Sequence, residues 1–335
     1  MQSNRTQWSR RNFLRLGGAS ALAGVSPAIL QAKAEEILAS PVNPKPVVDA
    51  RFPCRIGDGV WVIPDKRIFL VPNIGIVEGK HSVLVIDSGL GPESGRNVLS
   101  AARAIAGKRR LILTMTHAHP EHTFGAQAFK GEAQIFYNRA QRDHLARSAK
   151  VLLQGFHSVL LQNQLALLDQ IEITTPDDVY QEDKTEIDLG DRRVELRSIG
   201  TAHSPGDQII TIRDQKIVFV GDLIEERMFP IVPYFPPMIE AGDINVENWE
   251  AALNEVSRHS PKIVVPGHGN LGGAEIADQV RAYLGQVRRI VTSTGVVNPE
   301  ALNQLVKMIR EQNPIWERTE FIAPAVKYFA ANRSG

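Results

Sequence analysis

The sequence lacks the features of a disulfide-rich or nucleic-acid-binding protein. Its 335 residues include one cysteine, Cys54, which excludes an internal disulfide framework, and we expect this residue to be a small packed side chain. Aromatic residues make up only 6% of the chain. No basic block stands out, because 38 Lys plus Arg are balanced by 37 Asp plus Glu for a formal charge of +1. This near-neutral balance argues against nucleic acid as a partner.

The rest of the composition is that of an ordinary globular protein. Hydrophobic residues make up 43% of the chain and charged residues 22%, which excludes collagen-like and disordered classes. The length leaves room for one large domain or two small ones, each with an ample core.

The first 34 residues differ from the remainder, because they hold five basic residues and no acidic one. Residues 9–14, with the sequence SRRNFL, resemble the twin-arginine export signal, and small residues suit cleavage before Glu35. The apolar run from 16 to 30 is only 15 residues long and rich in Gly, Ala and Ser. A membrane span needs about 20 strongly apolar residues, so an anchor or a disordered tail is the weaker alternative.

This pattern predicts three parts of the chain. Residues 1–34 are expected to be a signal peptide that the twin-arginine export machinery recognises, which implies a periplasmic location and no stable membrane anchor after cleavage. Residues 35–53 are rich in proline and predict a linker arm. Residues 54–335 are expected to form the folded domain, ending in helices.

Within that domain, hydrophobic periodicity predicts short strands first and then strands mixed with helices. Strands are predicted over 60–63, 68–77, 83–87, 111–116, 133–137, 194–199, 208–212, 217–220 and 263–265, with a hairpin at 79–81. Helices are predicted over 93–106, 140–170 with a break near Gly155, 246–258, 273–294, 299–312 and in the tail after Trp316. This order implies an α/β fold with two sheets covered by helices.

Two apolar groups of side chains leave alternatives open. One is a stripe at helical spacing, for which a packing face is the simplest interpretation and a substrate lid or a homodimer surface the alternative: Phe156, Leu160, Leu161, Leu165 and Leu168. The other lies in a proline-rich loop and either contacts a small-molecule substrate or caps the core: Met228, Phe229, Tyr234, Phe235 and Met238.

The residues that carry chemistry lie at the ends of predicted strands. Residues 116–122, with the sequence THAHPEH, place three imidazoles and a carboxylate directly after the strand that ends at Thr116. Imidazole and carboxylate form a ligand set suited to zinc. Three solvated histidines on a loop would be the alternative. That alternative leaves the other strand-end residues unexplained.

Three further candidates follow strands in the same way. His203 lies in GTAHSPGD, Asp222 in VGD and His268 in PGHG, and each is flanked by Gly or Pro, which lets the backbone turn sharply. One such residue would be weak evidence, whereas four segments in series indicate a metal centre.

These motifs together resemble the metallo-β-lactamase superfamily over roughly residues 55–290. Members carry the pattern H-x-H-x-D-H, then a His before Pro-Gly, an Asp after a strand and a final Gly-His. The resemblance implies a four-layer αββα sandwich with two zinc ions at one edge between the sheets. By that resemblance the first metal is held by His117, His119 and His203, the second by Glu121, His122 and His268, and Asp222 bridges both.

The resemblance also implies a reaction mechanism, and the sequence departs from the family pattern at one ligand. Zinc would lower the pKa of a bound water to about 7, and Glu121 or Asp222 would orient this nucleophile and pass on a proton. Glu121 replaces the usual Asp, which puts the identity and occupancy of the second metal in doubt. Family β-lactamases place Cys or Ser at the position of Asp222, so an ester, lactone, thioester or phosphoester is the expected substrate. Asp87, after a predicted strand, is expected to orient ligands.

Other members of the superfamily leave alternatives. Residues 73–77, before the strand at 83–87, resemble the periplasmic branch named quinoprotein relay zinc metallohydrolases. An oxidative member similar to persulfide dioxygenases would instead hold one iron on His117, His203 and Asp222. A third alternative is a non-catalytic accessory protein that binds a metal.

Overall fold

A computed structural model describes residues 44–294 and 298–332 of the chain. The predicted signal peptide, residues 1–34, and residues 35–43 of the predicted linker arm lie outside these residues. Residues 44–53 form no helix or strand. This segment packs on the domain through Val48, which is buried and whose amide N–H donates to Ser94 Oγ at 3.2 Å.

The first sheet contains seven strands in chain order. Their bounds are β1 Cys54–Gly57, β2 Val60–Ile63, β3 Ile74–Glu78, β4 Ser82–Ile86, β5 Arg110–Thr114, β6 Ala133–Asn138 and β7 Asp178–Tyr180. The first four strands pair antiparallel, and β4 to β7 pair in parallel. The hairpin predicted at 79–81 joins β3 and β4. The strands β4 and β5 are almost wholly buried, as their continuous apolar sequences predict.

Three helices belong to this half of the domain: α1 Gly91–Ala106, α2 Pro120–Thr123 and α3 Arg139–Val159. Helix α1 begins at a Gly-Pro pair, where proline has no N–H to lose, and ends before Gly107. Its face with Val98 and Ala102 packs with Leu111 and Leu113 of β5 in one apolar cluster. Leu145 and Ala149 of α3 belong to the same cluster, so α1 and α3 cover the outer face of the first sheet.

The second sheet has five strands in the order β12-β11-β10-β9-β8. Their bounds are β8 Lys184–Asp188, β9 Arg193–Thr201, β10 Pro205–Ile212, β11 Ile217–Glu225 and β12 Ile263–His268. Neighbouring strands pair antiparallel except β11 and β12, which are parallel. Helices α4 Val246–His259, α5 Glu275–Thr294, α6 Pro299–Gln312 and α7 Ile322–Ala331 pack on its outer face.

A third apolar cluster lies between the two sheets and joins them. It combines Leu84 and Ile112 of the first sheet with Ile210 and Phe219 of the second. Each sheet thus has one face against the other sheet and one face against helices. This arrangement confirms the predicted four-layer αββα sandwich.

Several local predictions are wrong. Residues 68–73 form no strand, and strands β1, β7 and β8 were missed because they are short or largely exposed. Helix α3 runs through Gly155 and ends at Val159. A side chain at Gly155 would overlap the side chain of Met238, so this glycine serves close packing and does not break the helix. Cys54 is exposed on an edge strand and is not packed.

The apolar stripe after Gly155 has a packing role. Leu160 and Leu168 are buried in a cluster with Leu70 and Leu90, and Phe156 packs against that cluster. The simplest interpretation of the stripe, a packing face, therefore holds for these side chains. Among the residues that the structure describes, no helix is both long and apolar enough to cross a membrane.

Candidate metal centre

Four of the predicted ligands come from the short segment after strand β5. His117 and His119 lie in the turn that follows the strand, while Glu121 and His122 lie in helix α2. Pro120 is the first residue of this helix and fixes where the backbone changes direction. All four predicted side chains are buried.

The other three ligands come from the second sheet. His203 lies in the turn between β9 and β10, Asp222 lies within β11, and His268 is the last residue of β12. Strands β11 and β12 are parallel neighbours, so Asp222 and His268 reach the same edge of the sheet. All three side chains are buried.

The structure brings all seven predicted side chains together as two groups that share one residue. The first group is His117, His119, His203 and Asp222, and the second is Glu121, His122, Asp222 and His268. Within each group the potential ligand atoms lie within 4.8 Å of one another. Each group could hold a metal ion.

Asp222 lies between the two groups, as a shared ligand must. Its Oδ2 is 3.7 Å from His117 Nε2 and 3.7 Å from His268 Nε2, which belong to different groups. Its Oδ1 is 3.3 Å from His122 Nε2. One carboxylate therefore faces imidazoles from both groups.

The buried polar atoms at the site fit bound cations. In the part of the chain that the structure describes, His117 Nε2, His203 Nε2 and Glu121 Oε2 are buried and make no hydrogen bond. Leaving such an atom without a partner costs about 1–3 kcal/mol, so several of them side by side require an explanation. Nitrogen and carboxylate donors converging in this way match the ligand preferences of zinc.

The histidines of the first group are in the protonation state that metal binding requires. Burial, together with the neighbouring imidazoles, holds the pKa of His117 and of His119 well below the usual range. Burial likewise lowers the pKa of His203 to about 4. These imidazoles are neutral near pH 7, and only the neutral ring can ligate a metal.

Asp87 fixes the orientation of His122. Its Oδ2 lies 2.9 Å from His122 Nδ1, and its Oδ1 accepts a 2.6 Å hydrogen bond from the amide of Thr116. Thr116 Oγ1 also donates to Asp87 Oδ2 at 2.8 Å. Burial opposes protonation of His122, but Asp222 and Asp87 outweigh it and raise the pKa of this imidazole. With Nδ1 held by Asp87, Nε2 faces the second group.

Three buried polar residues near the site were missed in the sequence. Asp207 accepts hydrogen bonds from the Ser204 amide at 2.8 Å and from Ser204 Oγ at 2.6 Å, and so stabilises the turn that carries His203. Its position in the segment HSPGD was a usable signal. Glu225 accepts from the Ile231 amide at 2.6 Å, and no sequence signal distinguishes it from an ordinary strand end. His144, on α3, is buried without a sequence motif.

The proline-rich loop after Asp222 contributes mainly to the core. Met228 and Phe229 are buried, and Phe229 joins the apolar cluster under helices α4 and α5. Tyr234, Phe235 and Met238 are partly buried against the same cluster. Of the two interpretations of this loop, the structure supports core capping for Met228 and Phe229.

Comparison with protein families gives a match over the segment that contains every candidate ligand. Residues 67–268 match the family model described as the metallo-beta-lactamase superfamily. The acyl-coenzyme A thioesterase MBLAC2 of Gallus gallus is 30% identical over 226 residues, covering 61% of this chain and 74% of that protein. The Homo sapiens protein of the same name is 27% identical over 242 residues, covering 66% and 81%.

Solved structures share the fold at low sequence identity. A metallo-beta-lactamase family protein from Thermus thermophilus superposes with a TM-score of 0.62 at 14% identity, covering 83% of this chain and 94% of that chain. A metallo-beta-lactamase from Pontibacter korlensis gives a TM-score of 0.53 at 18% identity, covering 69% and 97%.

Proposed function

Because the chain belongs to the metallo-beta-lactamase superfamily, we propose that it is an exported hydrolase of thioesters with two zinc ions in its active site. The observation that carries the proposal is the pair of buried ligand groups that share Asp222. A single-metal centre would use only one of these groups. The superfamily and the metal-capable clusters support a hydrolase.

The arrangement of the ligands favours two metals over one. His117, His119 and His203 would hold the first zinc ion, and Glu121, His122 and His268 the second, with Asp222 between them. The alternative with one iron would use His117, His203 and Asp222 and would leave Glu121, His122 and His268 without a metal ion. Buried nitrogen and oxygen atoms that have neither a hydrogen-bond partner nor a metal ion lower the stability of the fold.

When bound, the zinc ions would polarise the substrate carbonyl and lower the pKa of the attacking water to about 7. The protein supplies the orientation. Asp222 belongs to both ligand groups and Glu121 to the second, and either carboxylate would orient the attacking water and accept its proton. Burial of all seven side chains excludes bulk water, which strengthens every electrostatic interaction at the site.

The names of the relatives and the chemistry of the leaving group favour a thioester over the other carbonyl substrates. The mammalian and avian relatives are named as acyl-coenzyme A thioesterases, which supports a thioester bond as the reacting group. A thiol has a pKa of about 8.5, so a thiolate leaves without a strong proton donor. The buried carboxylates of the centre would act as proton acceptors. Because a thiolate leaves without being protonated, the reaction needs no additional proton donor.

The proposed periplasmic location is supported by the sequence of residues 9–14. A twin-arginine signal carries folded proteins, which suits a chain whose ligands converge only after folding. Replacing Arg10 and Arg11 by Lys is expected to retain the protein in the cytoplasm. Fractionation of cells that express the two forms tests this, and equal periplasmic recovery would contradict the proposal.

The function is tested by the release of free thiol from a panel of acyl thioesters, beside an ester, a lactone and a phosphodiester. We expect thioesters to be hydrolysed with the highest kcat/KM. His119→Ala should abolish the activity and His157→Ala, an exposed histidine away from the site, should not. Hydrolysis of the other substrates without thiol release would overturn the choice of thioester.

A further inference from the structure

The turn that carries His268 is held by a loop from the first part of the domain. Residues 64–73 precede strand β3 and contact residues 266–269, where strand β12 ends. Asn73 is the centre of these contacts and is 3% exposed.

Asn73 uses its whole amide and its backbone to bind the turn. Its Nδ2 donates to the carbonyl oxygens of Pro266 at 3.0 Å and Gly269 at 2.9 Å, on either side of His268. Its backbone N–H donates to the Gly267 carbonyl at 2.8 Å. The side-chain Oδ1 meanwhile accepts from the Asp65 amide at 3.1 Å.

Two further contacts from the same loop complete the arrangement. Asp65 Oδ2 accepts from the Gly269 amide at 2.7 Å, and Asp65 is itself buried. His268 Nδ1 lies 3.0 Å from the Val71 carbonyl, to which it donates. The loop therefore fixes the backbone before His268, the backbone after it and one of its ring nitrogens.

We propose that Asn73 is a positioning residue that sets the affinity of the second metal site by holding the His268 turn. With Nδ1 bound to Val71, only Nε2 of His268 is free to face Asp222, and the turn fixes where that atom lies. Groups that orient a metal ligand in this way are typically worth a factor of about 10–100 in metal affinity. The inference rests on the proposed function in one respect, which is the presence of two metals.

The chemistry of the amide makes the residue type specific. An Asn side chain supplies two donors and an acceptor at once, whereas Asp has no donor when ionised. Asn73→Asp would keep the contact with the Asp65 amide and the backbone bond to Gly267, but it would lose both side-chain bonds to the turn. It would also place a carboxylate against two carbonyl oxygens. Asn73→Ser keeps one donor and is the milder change.

The test is a zinc titration of the metal-free full-length protein, in which calorimetry measures each binding step. The wild type and both Asn73 variants are compared. Asn73→Asp is expected to weaken the second binding step by about 10–100-fold and to leave the first step unchanged. Asn73→Ser should give a smaller loss at the same step. The melting temperature of each metal-free variant is measured in parallel to verify that it folds.

A matched control comes from the first site. Asn248 Nδ2 also joins two carbonyls, those of Ile199 at 2.6 Å and Thr201 at 2.8 Å, beside the turn that carries His203. Asn248→Asp removes the same kind of contact and should leave the second binding step unchanged. Asn97, which donates to the Val48 carbonyl away from both groups, gives a remote control.

Two results would overturn the inference: unchanged second-site affinity in both Asn73 variants, or an equal loss at both sites. If Asn73→Asp does not fold, the zinc affinity of Asn73→Ser at the second binding step is the test, and an affinity equal to that of the wild type would overturn the inference. The readout needs no substrate. Two bound zinc ions without thioester hydrolysis would therefore refute the proposed substrate alone, and a wild type that binds one metal would refute both.

Discussion

A methyl group on Gly267 would overlap the Oδ1 atom of Asp222. The two residues lie on the parallel strands β12 and β11, whose backbones meet where Gly221 pairs with Pro266. The backbone of residues 221 and 222 also approaches the same point, to 2.8–2.9 Å. The shared carboxylate of the metal centre thus occupies space that only a glycine leaves free.

Gly267→Ala is accordingly expected to displace the Asp222 carboxylate. Because that carboxylate belongs to both ligand groups, the variant should lose metal from both sites and most of its turnover. Metal content and kcat measured on the same sample test this. The control is Gly242→Ala, an exposed position in a short 3₁₀ helix where a side chain meets nothing within 4 Å. Full metal content in Gly267→Ala would contradict the role given to the glycine.

Removal of a ligand should abolish turnover while the fold survives. We expect His119→Ala and Asp222→Ala each to reduce kcat by more than about 100-fold, because changes to residues behind the ligands alone cost about 10–100-fold. Circular dichroism verifies the fold, and His157→Ala provides the comparison. Wild-type kcat in either variant would refute the assignment of that residue.

Glu121→Asp should be tolerated. The change restores the shorter carboxylate that the family usually carries at this position, and we expect kcat to stay within about tenfold of the wild type. Glu121→Ala, which removes the carboxylate, should lose the second metal. Loss of that metal in Glu121→Asp would show that the local backbone requires the longer side chain.

The stability of the domain should depend on the ionisation of Glu78. Burial acts to raise the pKa of this carboxyl, but hydrogen bonds from Trp61 and Arg109 outweigh it and lower the pKa below 4.5. A carboxyl with a lowered pKa in the folded state stabilises the fold above its unfolded pKa, and that contribution is lost as pH falls through the folded pKa. Glu78→Gln should therefore reduce the free energy of unfolding at pH 7 and have a smaller effect at acidic pH.

Urea denaturation of the metal-free protein at about pH 7 and about pH 3, on either side of the carboxyl titration, checks the Glu78 prediction. Asp169→Asn, at an exposed carboxyl in a turn outside the helices and strands, is the control and should show little difference between the two pH values. An equal loss of stability for Glu78→Gln at both pH values would show that packing, and not charge, is what the mutation removes.

The ligands could be predicted from the sequence because each follows a strand and the strand ends meet at one edge. His203, Asp222 and His268 are far apart in the chain, but Gly or Pro beside each one marked the turn. The support behind them could not be predicted in this way. Asn73 and Asp65 act through contacts with a residue about 200 positions away in the chain. No local sequence pattern at either residue predicts these contacts.

The errors in the fold prediction have a common physical cause, since tertiary contacts override local patterns. The sequence predicts a helix break at Gly155, whereas in the structure this glycine packs against Met238 within the helix. The sequence predicts that Cys54 is packed, whereas it is exposed because β1 is an edge strand. Strand β8 has a mostly exposed sequence and is stabilised by its pairing with β9. Strand pairing of this kind leaves little periodicity in the sequence.

The metal content of the protein, purified without added metal and measured by elemental mass spectrometry, tests the central claim most directly. The shared Asp222 between two complete ligand groups predicts about two zinc ions per chain. One iron per chain with no zinc would contradict the account. It would leave His117, His203 and Asp222 as the metal ligands and reduce Glu121 and His268 to supporting residues.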